Sequence, residues 1–329
     1  MAAQRKLLSL LACLLGLILL PPLAYALDET YLISSMSRVL IFAMAAISLD
    51  LIVGYGAMVS FGHAAFVGLG AYTAAIMGFH YHDGSPLLNL PFPFEGSNQL
   101  LVILPCAVFV AALVALLTGM INLRTHGIHF IMITLAFAQM LFFLFVSLDY
   151  YGGEDGLVML GRNRMPGMDT GDDTQFYYLS LALLVVFIVG ARRLVDSQFG
   201  RVLRGCKQNE KRMQALGFDT YRYRLTAFVI SAAAASVAGV MLANKTEFVD
   251  PGLFSWHLSG ELLVMVILGG LGSIYGAVIG AFAYLVLEQV FSAHTEHWMV
   301  LLGPFLILVV VFARHGIYGI LHSRLFANG

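Results

Sequence analysis

The chain has 329 residues, 60% of them hydrophobic and 11% charged, with a formal net charge of −1. An ordinary soluble domain carries about 25% charged residues, and a soluble fold of this size cannot hide so much apolar surface, so one continuous membrane domain is expected. The near-zero net charge gives nucleic acid no footing, and the three widely separated cysteines, Cys13, Cys106 and Cys206, two of them in apolar runs, show neither a disulfide framework nor a CxxC metal pair.

A membrane helix needs about 20 apolar residues, and that length divides the chain into spans at 7–26, 36–54, 58–79, 100–121, 128–148, 177–195, 224–243, 259–272, 275–291 and 298–313. The first is ambiguous. Arg5 and Lys6 precede an apolar run that ends in Pro21, Pro22 and Ala24-Tyr25-Ala26. That pattern suits a secretory signal with an A-x-A site, and equally a first membrane helix with a basic flank. We read residues 1–26 as a retained, signal-like first helix and 27–329 as a single transmembrane domain with a loop at 196–223. The pair 259–272 and 275–291 reads as two short helices or as one helix with a re-entrant piece.

Basic residues set the orientation. Arg192, Arg193, Arg201, Arg204, Lys207, Lys211, Arg212, Arg222 and Arg224 are half of the 18 Lys and Arg, so that loop is expected in the cytoplasm. The segment 80–99 has none, and 149–177 carries six carboxylates against Arg162 and Arg164; both are expected outside. Segment 149–177 reads either as a solvated connector or as a docking surface for a soluble partner. Ten crossings then place both termini and every basic cluster, including Arg124, Arg314 and Arg324, on the cytoplasmic side.

Two glycine-rich stretches interrupt long apolar runs. One holds Gly54, Tyr55, Gly56, Ser60, Phe61, Gly62 and His63; the other holds Gly269, Gly270, Leu271, Gly272 and Ser273. Breaks at related places in two halves of a transporter line the solute path, whereas small residues such as Gly276 and Gly280 also serve close helix packing. Asp50 falls inside an apolar span and reads as a path residue or as a hydrogen-bond acceptor at a helix break. Glu261 and Glu288 read as interfacial. His63 reads as a structural hydrogen-bonding residue or as path lining. The candidate path residues are therefore Asp50, Gly54, Ser60, His63, Gly269, Gly270 and Gly272.

No site for chemistry is legible. The glycine run at 269–273 has no Lys and sits in an apolar segment, so it is not a phosphate loop, and no GxxxxGK[ST] occurs. His80 and His82, or His126 and His129, lack a third ligand at metal spacing. Neither a metal nor another cofactor is expected. The basic loop is the strongest feature: residues 199–218 have helical periodicity on both sides of Gly205, with Gly217 as the expected stop. Such a helix lies on anionic lipid or docks in a partner's groove.

Residues 199–239 resemble the permease subunits of branched-chain amino acid ABC transporters, the LivM/LivH family, and lean toward LivM. Further matching stretches are Ser48 to Tyr55, Ser60 to Phe66, Gly70 to Thr73, Gly127 to Phe130, Thr134 to Met140, Gly152 to Leu157 and Leu268 to Ser273. Asp50 stands where the family usually has Asn, and His129 where it usually has Tyr. The resemblance implies an all-α bundle of about ten membrane helices with broken or re-entrant segments. It implies a non-enzymatic subunit of an importer in the bacterial inner membrane. Arg201, Arg204, Lys207, Glu210, Ala215, Leu216 and Gly217 would contact a separate ATPase. A second permease, forming a heterodimer, and a periplasmic solute-binding protein would complete the assembly. The solutes implied are branched-chain amino acids; urea, amides or aromatic acids are the alternatives within the family, and an ion-coupled secondary transporter is the alternative outside it.

Overall fold

A computed structural model describes residues 2–86, 95–295, 297, 299, 300, 302–304, 307 and 316–319, with side chains from residue 14 onward. The crossing expected over 298–313, and the tail with Arg314 and Arg324, fall largely outside the described residues.

The other nine expected spans are helical. They are α1 (Ala2–Ala26), α2 (Tyr31–Val53), α3 (Ala64–Asp83), α4 (Leu100–Asn122), α5 (Ile128–Val146), α6 (Asp173–Asp196), α9 (Thr220–Thr246), α10 (Trp256–Gly269) and α11 (Ile274–Ser292). Two short helices, α7 (Gln198–Gln208) and α8 (Glu210–Ala215), fill the basic loop. Among the described residues, α2, α4, α5, α6, α9 and α11 are long and apolar enough to cross a membrane. Polar side chains accept from otherwise orphaned first-turn amides: Asp172 caps α6 through Thr174 N, and Asp219 caps α9 through Arg222 N.

α1 contains Pro21 and Pro22, which cannot donate to the carbonyls four residues earlier. Those carbonyls belong to Leu17 and Ile18, and α6 supplies the missing donors. Tyr177 Oη donates to Leu17 O at 2.7 Å and Tyr178 Oη to Ile18 O at 3.2 Å. This pairing satisfies both carbonyls that the prolines leave open.

α2 is buried on every side from Val39 to Val53 and packs against α6, α9, α10 and α11; α9 also covers α3 and α4. The first departure from simple crossings follows α2. Helix α3 starts at Ala64 rather than near residue 58, because residues 54–63 turn back into the bundle without helical structure. His63 is fully buried and meets Ser48, about a turn and a half before the end of α2. The hydroxyl of Ser231, midway along α9, donates to Ser48 O at 2.5 Å.

The second departure follows α9. Residues 247–255 return into the bundle from the opposite end, with Phe254 buried against Tyr72 of α3 and stacked on Phe145 of α5 at 4.6 Å. Helix α10 begins beside it, with Trp256 and His257 exposed and Ser259 buried. The starts of the two broken helices touch: Ala64 N donates to Ser259 Oγ at 3.0 Å. α3 then runs to the end bearing segment 149–172, and α10 runs back to the basic end.

Segment 149–172 is anchored. A two-stranded antiparallel pair joins β1 (Leu157–Val158) to β2 (Phe248–Val249). Asn163 N donates to Asn244 Oδ1 at 2.6 Å, Asn244 Nδ2 to Asn163 Oδ1 at 2.9 Å, and Asn163 Nδ2 to Asn98 Oδ1 at 2.8 Å. Arg162 pairs with Asp173 and Glu247. The ring of His80 bonds Ser85 Oγ and Tyr151 Oη.

Candidate functional site

Helix α7 starts at Ser197, whose hydroxyl accepts from Gly200 N. Its buried side is Val202, Leu203 and Cys206, while Arg201, Arg204 and Lys207 lie on the exposed side. The helix passes through Gly205, where a side chain would strike Met213 of α8. It ends at Asn209, in extended backbone, whose side chain accepts from Arg212 N at 3.0 Å to start α8. Gly217, at φ +88°, stops the turn after α8, as a left-handed position requires. Beyond α8, Leu216 is 66% exposed and Phe218 is exposed beside Ala215 and Gly217. The helix pair thus ends in an apolar tip with a basic flank.

Glu210 points away from that tip. Its carboxylate accepts from Arg224 Nη1 at 3.2 Å and from Thr220 Oγ1 at 3.1 Å, and it pairs with His126 Nε2 at 3.2 Å. It therefore ties α8 to the base of α9 and to the α4–α5 connection. His126, Thr220 and Arg224 are the partners that sequence reasoning misses. Arg224 is legible there only as one of the basic residues that orient the loop, and His126 only through its i, i+3 spacing to His129. Burial, with the nearby Glu210 carboxylate adding to it, holds the Cys206 thiol above its ordinary value.

Lys207 is the link from these helices to the breaks. Its Nζ donates to Gly54 O at 2.6 Å, at the point where α2 ends. Gly54 in turn abuts Gly272, leaving no room for a side chain on Gly54. Gly270 and Gly272, at φ +116° and +77°, make the tight turn from α10 to α11. Asp50 Oδ1 accepts from Gly272 N at 2.8 Å. Asp50 is 1% exposed, so it caps this turn from inside the protein. Arg204 bonds the Val195 carbonyl, whereas Arg201 projects outward.

The remaining candidate path residues divide. Ser48 Oγ donates to Ala45 O, so it accepts from His63 Nε2 at 2.9 Å. His63 Nε2 therefore carries a proton. Ser60 lines a small cavity of about 10 Å³ with Thr118, Asn122 and Thr134. Gly269 packs on Gly276 and Gly280 so closely that a side chain on Gly269 would meet their backbone. Asp50, Gly54, Gly270 and Gly272 thus form one cluster at the basic end, and Ser60 and His63 sit deeper.

This arrangement has a counterpart in sequence. Residues 31–311 match the family described as "Branched-chain amino acid transport system / permease component". The chain belongs to this permease family. The permease is 27% identical over 304 residues to the LivM permease protein of Escherichia coli, covering 84% of this chain and 68% of that one. It is 23% identical to a probable LivM permease protein of Methanocaldococcus jannaschii, with 80% and 83% covered. It is 35% identical over 145 residues to the LivH permease protein of Salmonella typhimurium, with 43% and 44% covered. No solved structure matches it. The permease is accordingly a multi-pass membrane transport subunit, not an enzyme. The relatives it matches include both LivM and LivH permeases.

Proposed function

We propose that this permease is the LivM-like half of an ATP-driven importer for branched-chain amino acids or closely related small solutes. Its basic end faces the cytoplasm, as the concentration of Lys and Arg there supports, and both termini lie on that side of the bacterial inner membrane. The apolar tip at Ala215–Phe218 and the basic side of α7 dock on a separate ATPase. A second, related permease completes the membrane part, and the anchored segment 149–172 receives a periplasmic solute-binding protein. Solutes named for the relatives, not side chains of this chain, support the substrate class.

The observation that carries the reading is the Lys207–Gly54 hydrogen bond. It joins the helix suited to ATPase docking directly to the end of the broken span. Motion of α7 is then felt at Gly54 and, through Gly272 and Asp50, at the α10–α11 turn. Packed elements with two discrete arrangements convert such a push into alternating access. Purified transporter in liposomes tests this. ATP hydrolysis and uptake stimulated by the loaded binding protein are expected. Uptake by the chain alone under an ion gradient, with no ATPase, would overturn it.

A further inference from the structure

Two sides of the bundle treat polar residues in opposite ways. α4 exposes Leu101, Phe109, Leu113 and Leu117, while its Thr118 and Asn122 are buried. That side suits hydrocarbon chains. The side formed by α2, α10 and α11 does the reverse. Arg38 of α2 donates to both carboxylate oxygens of Glu288 of α11, at 3.0 and 3.3 Å, and its side chain is still 47% exposed.

That pair is neutral, and Glu261 of α10 is left over. It stands in the field of both Glu288 and Arg38 and is only partly buried. Among the described residues nothing donates a hydrogen bond to it. The other titratable groups facing it are the Tyr284 hydroxyl, in the field of both carboxylates, and His257, exposed one turn earlier on α10. An unneutralised carboxylate in an apolar span is strongly disfavoured in lipid, so its surroundings must offer a cation or water.

The local shape favours a helix as the source of that cation. Gly260, beside Glu261, has open space where a side chain would stand. Val264 and Ile267 continue the same side of α10 toward the basic end, and Phe282 and Val290 are exposed on α11. A small residue within a long apolar face is what lets a second membrane helix approach closely.

We propose that this face of α2, α10 and α11 is where the second permease packs, and that a basic side chain on one of its membrane helices pairs with Glu261. The inference rests on the permease reading above and adds to it the face and the charge by which the two halves recognise one another.

Co-expression of the chain with its second permease, followed by purification of the transporter, tests it. A Gly260→Cys variant treated with a short bismaleimide should give a product containing one copy of each permease, absent from the wild type. Glu261→Lys should lower recovery of the second permease by about tenfold, because a like-charge contact replaces a favourable one; Glu261→Gln should fall between. A product containing two copies of this chain would overturn the inference. So would protection of the Gly260→Cys thiol by solute alone, or full recovery of the partner by Glu261→Lys with no cross-linked product. The cross-link leaves Glu261 intact, so it remains decisive if Glu261→Lys misfolds. A wild-type chain that recovers no second permease would instead count against the permease reading itself.

Discussion

Lys207 Nζ and the carbonyl oxygen of Gly54 lie 2.6 Å apart, although 153 residues separate them in the chain. The bond fastens a surface helix to the end of a buried one, and it uses a backbone carbonyl that the end of α2 leaves free for an outside donor. Replacing Lys207 with Met keeps the stem and removes the donor. Uptake is expected to fall by about tenfold, equivalent to about 1.4 kcal/mol of lost coupling, with ATP hydrolysis largely retained. Parallel measurement of both rates in liposomes checks this, and an equal loss of both would point to lost assembly instead.

Asp50 separates a polar role from a charged one. Asn at this position keeps an acceptor oxygen for Gly272 N, whereas Leu removes it. Asp50→Asn is expected to fold and transport close to wild type. Asp50→Leu should lose about 1–3 kcal/mol, the cost of leaving a buried amide unsatisfied, seen as a lower unfolding temperature in detergent. A severe defect in Asp50→Asn would show that the charge itself is required.

The legibility of this fold in its sequence follows the physics of each segment. α4 and α5 are unbroken apolar runs with nothing to compete with a span, so their bounds emerge within a few residues. The interruption after α2 announces itself through Gly54, Gly56 and Gly62, though not the inward path of residues 54–63. The return after α9 is invisible. Lys245, Glu247, Asp250 and Pro251 are what any surface connection would show, and nothing local says that Phe254 will be buried against Tyr72 and Phe145. The partnership of Asp50 with Gly272 is equally hidden, because 222 residues separate a lone carboxylate from the amide it caps. Lys207, Gly54 and Asp50 are each visible as candidates; only the fold brings them together.

The tyrosine pair on α6 offers a stability test. Tyr177→Phe removes the donor to Leu17 O while keeping the ring, which is fully buried. A loss of about 1 kcal/mol is expected, concentrated in the attachment of α1. Limited proteolysis after the α1–α2 connection should quicken in Tyr177→Phe, and further in the double variant with Tyr178→Phe. Unchanged cleavage in the double variant would show that α1 is held by its apolar contacts alone.

Cys206 gives a pH signature at the basic end. Its thiol is held above the ordinary value of 9.0 by burial first and by Glu210 second. Maleimide labelling of the folded protein should therefore be slow at neutral pH and rise only at higher pH than for a free thiol. The sign for stability follows. Above the ordinary thiol value the unfolded chain has released this proton while the folded chain keeps it, so stability falls as pH rises through that range. Glu210→Gln should move the labelling curve to lower pH; an unmoved curve would separate Glu210 from the thiol.

Helix α9 is clamped at both extremities, by Glu210 on Arg224 at one and by Asn163 on Asn244 at the other. Its 27 residues span about 40 Å, without proline. A tie rod held in this way tilts as a whole when either fastening is displaced. On the proposed function, the two ends of the bundle are thereby denied independence: displacing one fastening is expected to move the other.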